Sequence, residues 1–256
     1  MGIVMLNNKV LMSGNQMALY VPPPIVPKGS LVKMNLDGTE RQYRVIKCNG
    51  NVAQVMAMYD TLTSAWDANY STTTMGTLTV AKYEGSTIDT YLNTTWYNTL
   101  TSATKAAIVP ENVVCDAWYW NSTGDPDYTG TYGTAVPGTS NYTISKYAGG
   151  TLNIGNRNVF ALGVQDVIDY LNDSSVQVDT TAILRNVNIW KMFWNDEVSH
   201  SGKYLWLRSS AAYDSSYVWR VLGGSGYLRS SGVSGSYVVR PALNLDMSKI
   251  QYTLVS

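Results

Sequence analysis

Between Leu31 and Met58 the chain alternates apolar and polar side chains with the period of two that a half-buried strand requires. Three such runs, Leu31-Val-Lys-Met-Asn-Leu36, Gln42-Tyr-Arg-Val-Ile-Lys-Cys48 and Val52-Ala-Gln-Val-Met-Ala-Met58, are separated by Asp37-Gly38 and Asn49-Gly50, both hairpin turn signals. The pattern predicts a three-stranded meander. Further on the period lengthens. Ile88, Leu92 and Trp96 share one helical face behind Ser86-Thr-Ile-Asp89, which has the form of a capping box with Asp in the place of Glu. Val164, Val167, Ile168 and Leu171 recur at i, i+3, i+4 and i+7 and predict a second helix, with a shorter helical turn over Ile189-Trp-Lys-Met-Phe193. These stripes read as core faces.

Ahead of the meander, residues 1–21 read as a short extended or hairpin-like arm with Asn7-Asn8 as its turn. Val21-Pro-Pro-Pro-Ile-Val-Pro27 follows, holding four of the chain's eight prolines. A proline run is stiff, extended and unable to donate to a sheet, so it reads as a spacer. The expected division is an arm and spacer over 1–28 and one domain over 29–256. Between the two helices, Trp118-Tyr-Trp-Asn-Ser-Thr-Gly-Asp-Pro-Asp-Tyr128 runs into a Gly/Thr/Ser-rich stretch to Tyr142, expected to be a long excursion of loops and short strands.

The segment from Tyr204 to Asp246 is patterned differently again. Its ends, Leu205-Trp-Leu-Arg-Ser209 and Val238-Val-Arg-Pro-Ala-Leu-Asn-Leu-Asp246, are apolar and strand-like. Its middle is mostly Ser, Gly, Tyr, Ala and Arg around the anchors Val218, Val221, Leu228 and Val233. Tyr and Trp supply contact area at little entropic cost and Ser and Gly supply adaptable hydrogen bonding, the composition of a paratope. Gly/Ser-rich hairpin loops without a partner have a similar composition. From Leu207 to Val239 there is no Lys, Glu, Gln or Met, although all four occur elsewhere in the chain. Codons ending in T or C after two free bases encode Ser, Gly, Tyr, Asp, Arg, Ala and Leu but none of those four, so the absence matches template-directed randomisation. Trp219 is not encoded that way and marks either a fixed position or evidence against such randomisation.

Charge and composition narrow the chemistry. The chain of 256 residues carries 18 basic and 18 acidic residues with no block of one sign, which argues against nucleic-acid and anionic-membrane partners. The start lacks the basic, apolar, small-residue order of a signal peptide, and no run approaches transmembrane length. The protein is expected to be made in the cytoplasm and to reach the outside on a particle or by lysis. Nineteen Tyr against two Phe suit core, strand and wet binding surfaces alike. Cys48 and Cys115 form neither a CxxC nor a zinc pattern. Two buried thiols are the simpler reading, and a disulfide between them stays open. With His200 the single histidine, a His-based metal site or a Ser-His triad starts poorly, and Asp125 and Asp127 read as turn residues of a Pro-containing loop. No catalytic residue, metal or cofactor is assigned.

The frame Trp206-Leu-Arg-Ser209, then about thirty residues containing Gly226-Tyr-Leu228, then Val239-Arg-Pro-Ala-Leu243, resembles a gut bacterial and phage family of C-type-lectin-like domains. Tyr43-Arg-Val-Ile46, Asp89-Thr-Tyr-Leu-Asn-Thr-Thr-Trp-Tyr97, Gln165-Asp-Val-Ile-Asp-Tyr170 and Trp190-Lys-Met-Phe-Trp194 extend the resemblance over most of 29–250. That family includes variable proteins of diversity-generating retroelements, in which a reverse transcriptase rewrites a C-terminal cassette. The resemblance implies an α+β fold of the C-type-lectin kind, with two main helices flanking small twisted antiparallel sheets. It also implies a variable region at about 207–240 that binds a protein or glycan ligand on a bacterial surface, the arm serving for attachment to a phage particle. The ligand-facing residues are then expected to be Ala211, Tyr213, Asp214, Ser216, Trp219, Arg220, Leu222, Ser225, Arg229, Ser231, Ser234 and Ser236, framed by Trp206, Leu207, Val221, Leu228, Val233 and Leu243.

Three other readings compete. Trp194-Asn-Asp196 resembles the Trp-Asn-Asp motif of calcium-dependent lectins, but no Glu-Pro-Asn or Gln-Pro-Asp accompanies it, only Pro110-Glu-Asn112 in another order. Trp219-Arg-Val-Leu-Gly-Gly-Ser225 is similar to a run in formylglycine-generating enzymes, whose chemistry needs a C-terminal cysteine pair. Both cysteines here lie far upstream. A particle decoration domain with no specific ligand would fit the arm and spacer equally.

Overall fold

The computed structural model describes residues 11–13, 16–18, 26–122, 142–171, 187–194, 202–223 and 227–255. The arm contributes β1 (Leu11–Ser13) and β2 (Gln16–Ala18), which pair antiparallel. The turn expected at Asn7-Asn8 lies outside the described residues.

The meander forms as the alternation predicts, from β3 (Leu31–Asn35), β4 (Glu40–Asn49) and β5 (Val52–Ala57). Its turns need left-handed backbone, supplied by Gly38 (φ 95°) and Gly50 (φ 57°). The first is fastened by the Gly38 amide donating to Asn35 Oδ1 at 2.7 Å and the Thr39 amide to Asp37 Oδ1 at 3.0 Å. Two strands from the far end of the chain complete this sheet. β15 (Ala242–Asp246) pairs with β5 and β16 (Tyr252–Leu254) with β3, giving the five-stranded antiparallel order β15-β5-β4-β3-β16.

The larger, seven-stranded sheet is built around β11 (Tyr204–Ala211). One edge of β11 pairs with β12 (Tyr217–Leu222), which carries β13 (Tyr227–Gly232) at the border of the sheet. The other edge is shared in succession by β14 (Tyr237–Val239) and β9 (Glu111–Ser122), both parallel to β11. β6 (Leu62–Ser64) extends β14, and β10 (Tyr142–Arg157) extends β9 in a long antiparallel ribbon whose connection, 123–141, lies outside the described residues. A separate hairpin pairs β7 (Thr72–Met75) with β8 (Leu78–Ala81).

The first predicted helix is a continuous run of α1 (Thr87–Thr90), a π-helical stretch Tyr91–Trp96 and α2 (Tyr97–Thr99). Ser86 caps it as expected: its Oγ accepts from the Asp89 amide at 3.2 Å, while Asp89 Oδ2 accepts from the Gly85 amide at 2.9 Å. Ile88, Leu92 and Trp96 are buried. α3 (Ser102–Ala107) follows, then α4 (Val164–Leu171) and α5 (Val187–Trp194). On α4 the buried positions are Val164, Val167, Tyr170 and Leu171, with Ile168 only half-buried. One apolar core joins the meander, the helices and β11–β13.

The expected α+β arrangement of the C-type-lectin kind, with two main helices and small antiparallel sheets, is not what the chain forms. Sixteen strands dominate the described residues, and neither α4 nor α5 exceeds eight residues. The larger sheet mixes parallel and antiparallel pairing. The stripes locate helices well, but Thr-rich segments such as Thr72–Met75 form strands with little apolar patterning. Trp118–Ser122, expected among loops and short strands, is the end of a twelve-residue strand.

Buried arginines tie these layers together. Arg240 Nε and Nη2 donate to Asp60 Oδ1 at 3.1 and 2.8 Å, and Nη1 donates to the Phe193 carbonyl. Burial alone would raise the Asp60 pKa, but the Arg240 hydrogen bonds and charge, helped by Lys203, hold it below the ordinary 3.8. A depressed carboxylate stabilises the fold above its unfolded pKa and loses that contribution as pH falls through the folded value. Asp60→Asn is therefore expected to cost about 2 kcal/mol near neutrality, reduced for the partial exposure of Asp60. Urea unfolding followed from pH 7 down to below the carboxylate range checks this: the gap between variant and parent should narrow in acid.

Candidate functional site

Both ends of the C-terminal stretch are fixed by hydrogen bonds made in the interior. On β11, Trp206 Nε1 donates to the Ser64 carbonyl at 2.9 Å, and the Leu207 carbonyl accepts from Trp66 Nε1 at 2.8 Å. Arg208 is 7% exposed and donates to the carbonyls of Val114 and Ala161 and to Asp166. Burial works against its charge, but Asp166 and Asp116 more than offset it and raise its pKa. Ser209 Oγ donates to Asp116 and accepts from the Val164 amide, capping the start of α4, while Ser210 Oγ donates to the Ala81 carbonyl at 2.7 Å. At the other end Arg240 makes the contacts to Asp60 and Phe193, and Leu243 and Leu245 are fully buried. The residues named as frame, Trp206, Leu207, Val221, Leu228, Val233 and Leu243, are all buried.

Between these ends the chain forms the β12–β13 hairpin, with β13 as edge strand. Of the residues expected to face a ligand, Tyr213, Arg229, Ser234 and Ser236 are exposed. Asp214, Ser216, Arg220, Leu222 and Ser231 are half-buried, and Ser225 lies outside the described residues. Two expectations need correction. Ala211 closes β11 with no exposed surface. Trp219 is likewise fully buried: it shares a face with Val221 and Leu228, and its Nε1 donates to the Trp118 carbonyl at 3.3 Å. The sequence left this tryptophan open between a fixed position and a contact residue, and its burial makes it part of the frame.

The strand register divides the outward residues between two faces. Arg220 lies directly opposite Arg229 and Val218 opposite Ser231, while Trp219 lies opposite Ser230. Arg220, Arg229 and Ser231 therefore share one face. On the other, Ser230 hydrogen-bonds to the Tyr213 hydroxyl, and the Tyr213 ring sits 6.3 Å from that of Tyr217. The candidate surface wraps the edge strand rather than tiling one face. Asp214 Oδ1 holds the connecting turn by accepting from the Ser216 amide at 2.8 Å and its hydroxyl at 2.7 Å.

Three contributors escaped the sequence pattern. Tyr217 is 38% exposed at the start of β12 although it shares a face with the buried Trp219 and Val221, so no alternation marked it. Tyr204 and Tyr237 flank the Arg220 guanidinium at 4.2 and 4.4 Å from their ring centroids, brought there by the parallel β11–β14 pairing that no local signal announces. Asn195, Asp196, His200, Asp125 and Asp127 lie outside the described residues. Among the described residues no three His, Cys, Asp or Glu side chains gather as a metal ion would require. Cys48 and Cys115 are unpaired. Cys115 is buried, and that burial lifts its thiol to about 12; Cys48 is half-buried. No helix among the described residues is long and apolar enough to cross a membrane.

The model of a family described as Domain of unknown function (DUF6273) matches residues 67–247, which take in both buried motif segments and the hairpin between them. The chain belongs to the DUF6273 family. The meander β3–β5 precedes the matched range, although β15 inside that range completes its sheet. Comparison with curated proteins and with solved structures gives no match.

The division of the DUF6273 hairpin into buried and outward positions has an energetic consequence. Trp219→Ala is expected to cost about 3–5 kcal/mol through lost burial and a cavity. Ser234→Ala and Ser236→Ala are expected to stay within about 0.5 kcal/mol of the parent. Chemical denaturation of the three variants measures the difference.

Proposed function

We propose that this DUF6273 protein is a ligand-binding display protein, without catalysis, whose β12–β13 hairpin carries replaceable contact residues on an unchanging support. The observation that carries the reading is the contrast along one stretch of chain. Trp206–Ser209 and Val239–Leu243 are buried, with the Arg208, Ser209 and Arg240 side chains hydrogen-bonded in the interior, and Val218, Val221, Leu228 and Val233 are buried between them. The intervening outward positions are small, hydroxylic, aromatic or cationic. Such positions can change without disturbing the core, because surface substitutions away from buried contacts cost little. The absence of Lys, Glu, Gln and Met from 207–239 supports diversification by template-directed substitution, as in the variable proteins of diversity-generating retroelements.

The ligand is a protein or glycan on a bacterial surface, met by a protein carried on a phage particle or released by lysis. The arm with its β1–β2 pair supplies the attachment end.

Versions of the protein differing together at Tyr213, Ser231, Ser234 and Ser236 are expected to keep the parent's melting temperature within a few degrees while differing in the bacterial surface material they capture. Identical capture by every version would overturn the proposal. A near-copy of the coding segment for 207–243 beside a reverse-transcriptase gene would test the route of diversification separately.

A further inference from the structure

Arg220 is an arginine whose surroundings supply aromatic faces but no anion. Its guanidinium lies between the rings of Tyr204 and Tyr237, and cation–π contact on both sides offsets part of the cost of removing the charge from water. Yet its Nε and Nη1 are buried without a hydrogen-bond partner, and the groups that favour its charge are Tyr237 and Tyr204, not a carboxylate. The contrast with the frame is sharp: Arg208 meets Asp166, and Arg240 meets Asp60. Directly across the strand pair from Arg220 is a second cation, Arg229, where like charges on one face repel. Burial lowers the Arg220 pKa from the ordinary guanidinium value, and the Arg229 charge adds to that shift. On the same face Ser231 Oγ and Tyr237 Oη are hydrogen-bonded to each other at 3.1 Å, which leaves one of the two hydroxyl protons for an outside acceptor.

We infer that Arg220 and Arg229 form an oxyanion subsite, and that the ligand of the hairpin presents a carboxylate or phosphate group there. The inference rests on the display reading and names the chemistry of what is displayed to. An oxyanion seated between the two guanidinium groups satisfies the orphaned N–H edges of Arg220 and replaces a repulsion by two charge-assisted attractions. Exposed Arg229 is the point of entry, and the remaining hydroxyl proton of the Ser231–Tyr237 pair fixes the orientation. Tyr237 meets Tyr204 edge-on at 5.1 Å and the buried Trp206 at a tilt at 4.5 Å, so the floor of the subsite is aromatic while both cations lie in the hairpin.

The full chain is titrated calorimetrically with trigalacturonate, glycerol phosphate and neutral maltotriose, at low salt and at about physiological ionic strength. At least one anionic probe is expected to bind, more weakly in the higher salt, and maltotriose is not. Binding by trigalacturonate alone identifies an acidic sugar as the source of the oxyanion, and by glycerol phosphate alone a phosphate polymer. Arg229→Gln, an exposed change that spares the fold, should weaken binding roughly tenfold, and Arg220→Gln by more. Arg220→Lys keeps the charge but loses the planar fork, and should fall between Arg220→Gln and the parent. Failure of both anions to bind the parent, or binding indifferent to Arg229→Gln, would sink the subsite. Capture of bacterial surface material that still varies with the other outward positions, but ignores Arg220 and Arg229, would leave the display reading intact and remove this one alone.

Discussion

A guanidinium taken out of water has to be met on every side by carboxylates and carbonyl oxygens, and the architecture depends on that being done at Arg208. This single side chain on β11 reaches the Val114 carbonyl of β9, the Ala161 carbonyl ahead of α4 and the Asp166 carboxylate in its first turn. Its neighbour Ser209 adds Asp116 and the Val164 amide. Two elements that share only a short parallel pairing with β11, or none, are thereby held to it by directional bonds. Removing one partner from such a set leaves a buried charge uncompensated, which costs more than any single surface contact. Arg240 repeats the device between Asp60, on the connection from β5 to β6, and α5.

This explains why β11 can serve as the centre of the larger sheet while one of its edges is divided between β14 and β9. Parallel pairings of only one or two residues are weak as ladders. They persist because the side chains of the same strand are anchored in the interior, with Trp206, Leu207, Ser209 and Ser210 essentially without exposed surface. The hairpin β12–β13 inherits its position from this strand and needs few stabilising contacts of its own on the outward side.

Local features were legible in the sequence wherever a short-range rule governs them. The meander and its two turns, the Ser86 cap and the apolar stripes of the helices all follow from spacing and turn chemistry. The buried anchors of the hairpin, Val218, Val221, Leu228 and Val233, were equally readable. What could not be read was set by long-range pairing. The fold class was not legible because Thr-rich strands carry a weak pattern, and because nothing local indicates that β14 lies parallel to β11. The same pairing brings Tyr237 over Arg220, so the most distinctive feature of the candidate surface was invisible beforehand. Trp219 was misplaced because its size suits a contact surface as well as a core, and only the strand register decides between them.

The order of elements along the chain has a bearing on biosynthesis. β15 and β16 are made after the hairpin, yet they complete the sheet begun by the first strands of the domain. A frameshift or premature stop within the hairpin therefore also deletes the partner of β5 and leaves Ala53, Val55 and Met56 on an unpaired border. Such an exposed apolar edge invites aggregation and proteolysis. A polypeptide that survives has thus been translated in frame through the whole β12–β13 hairpin, so the architecture screens its own coding errors.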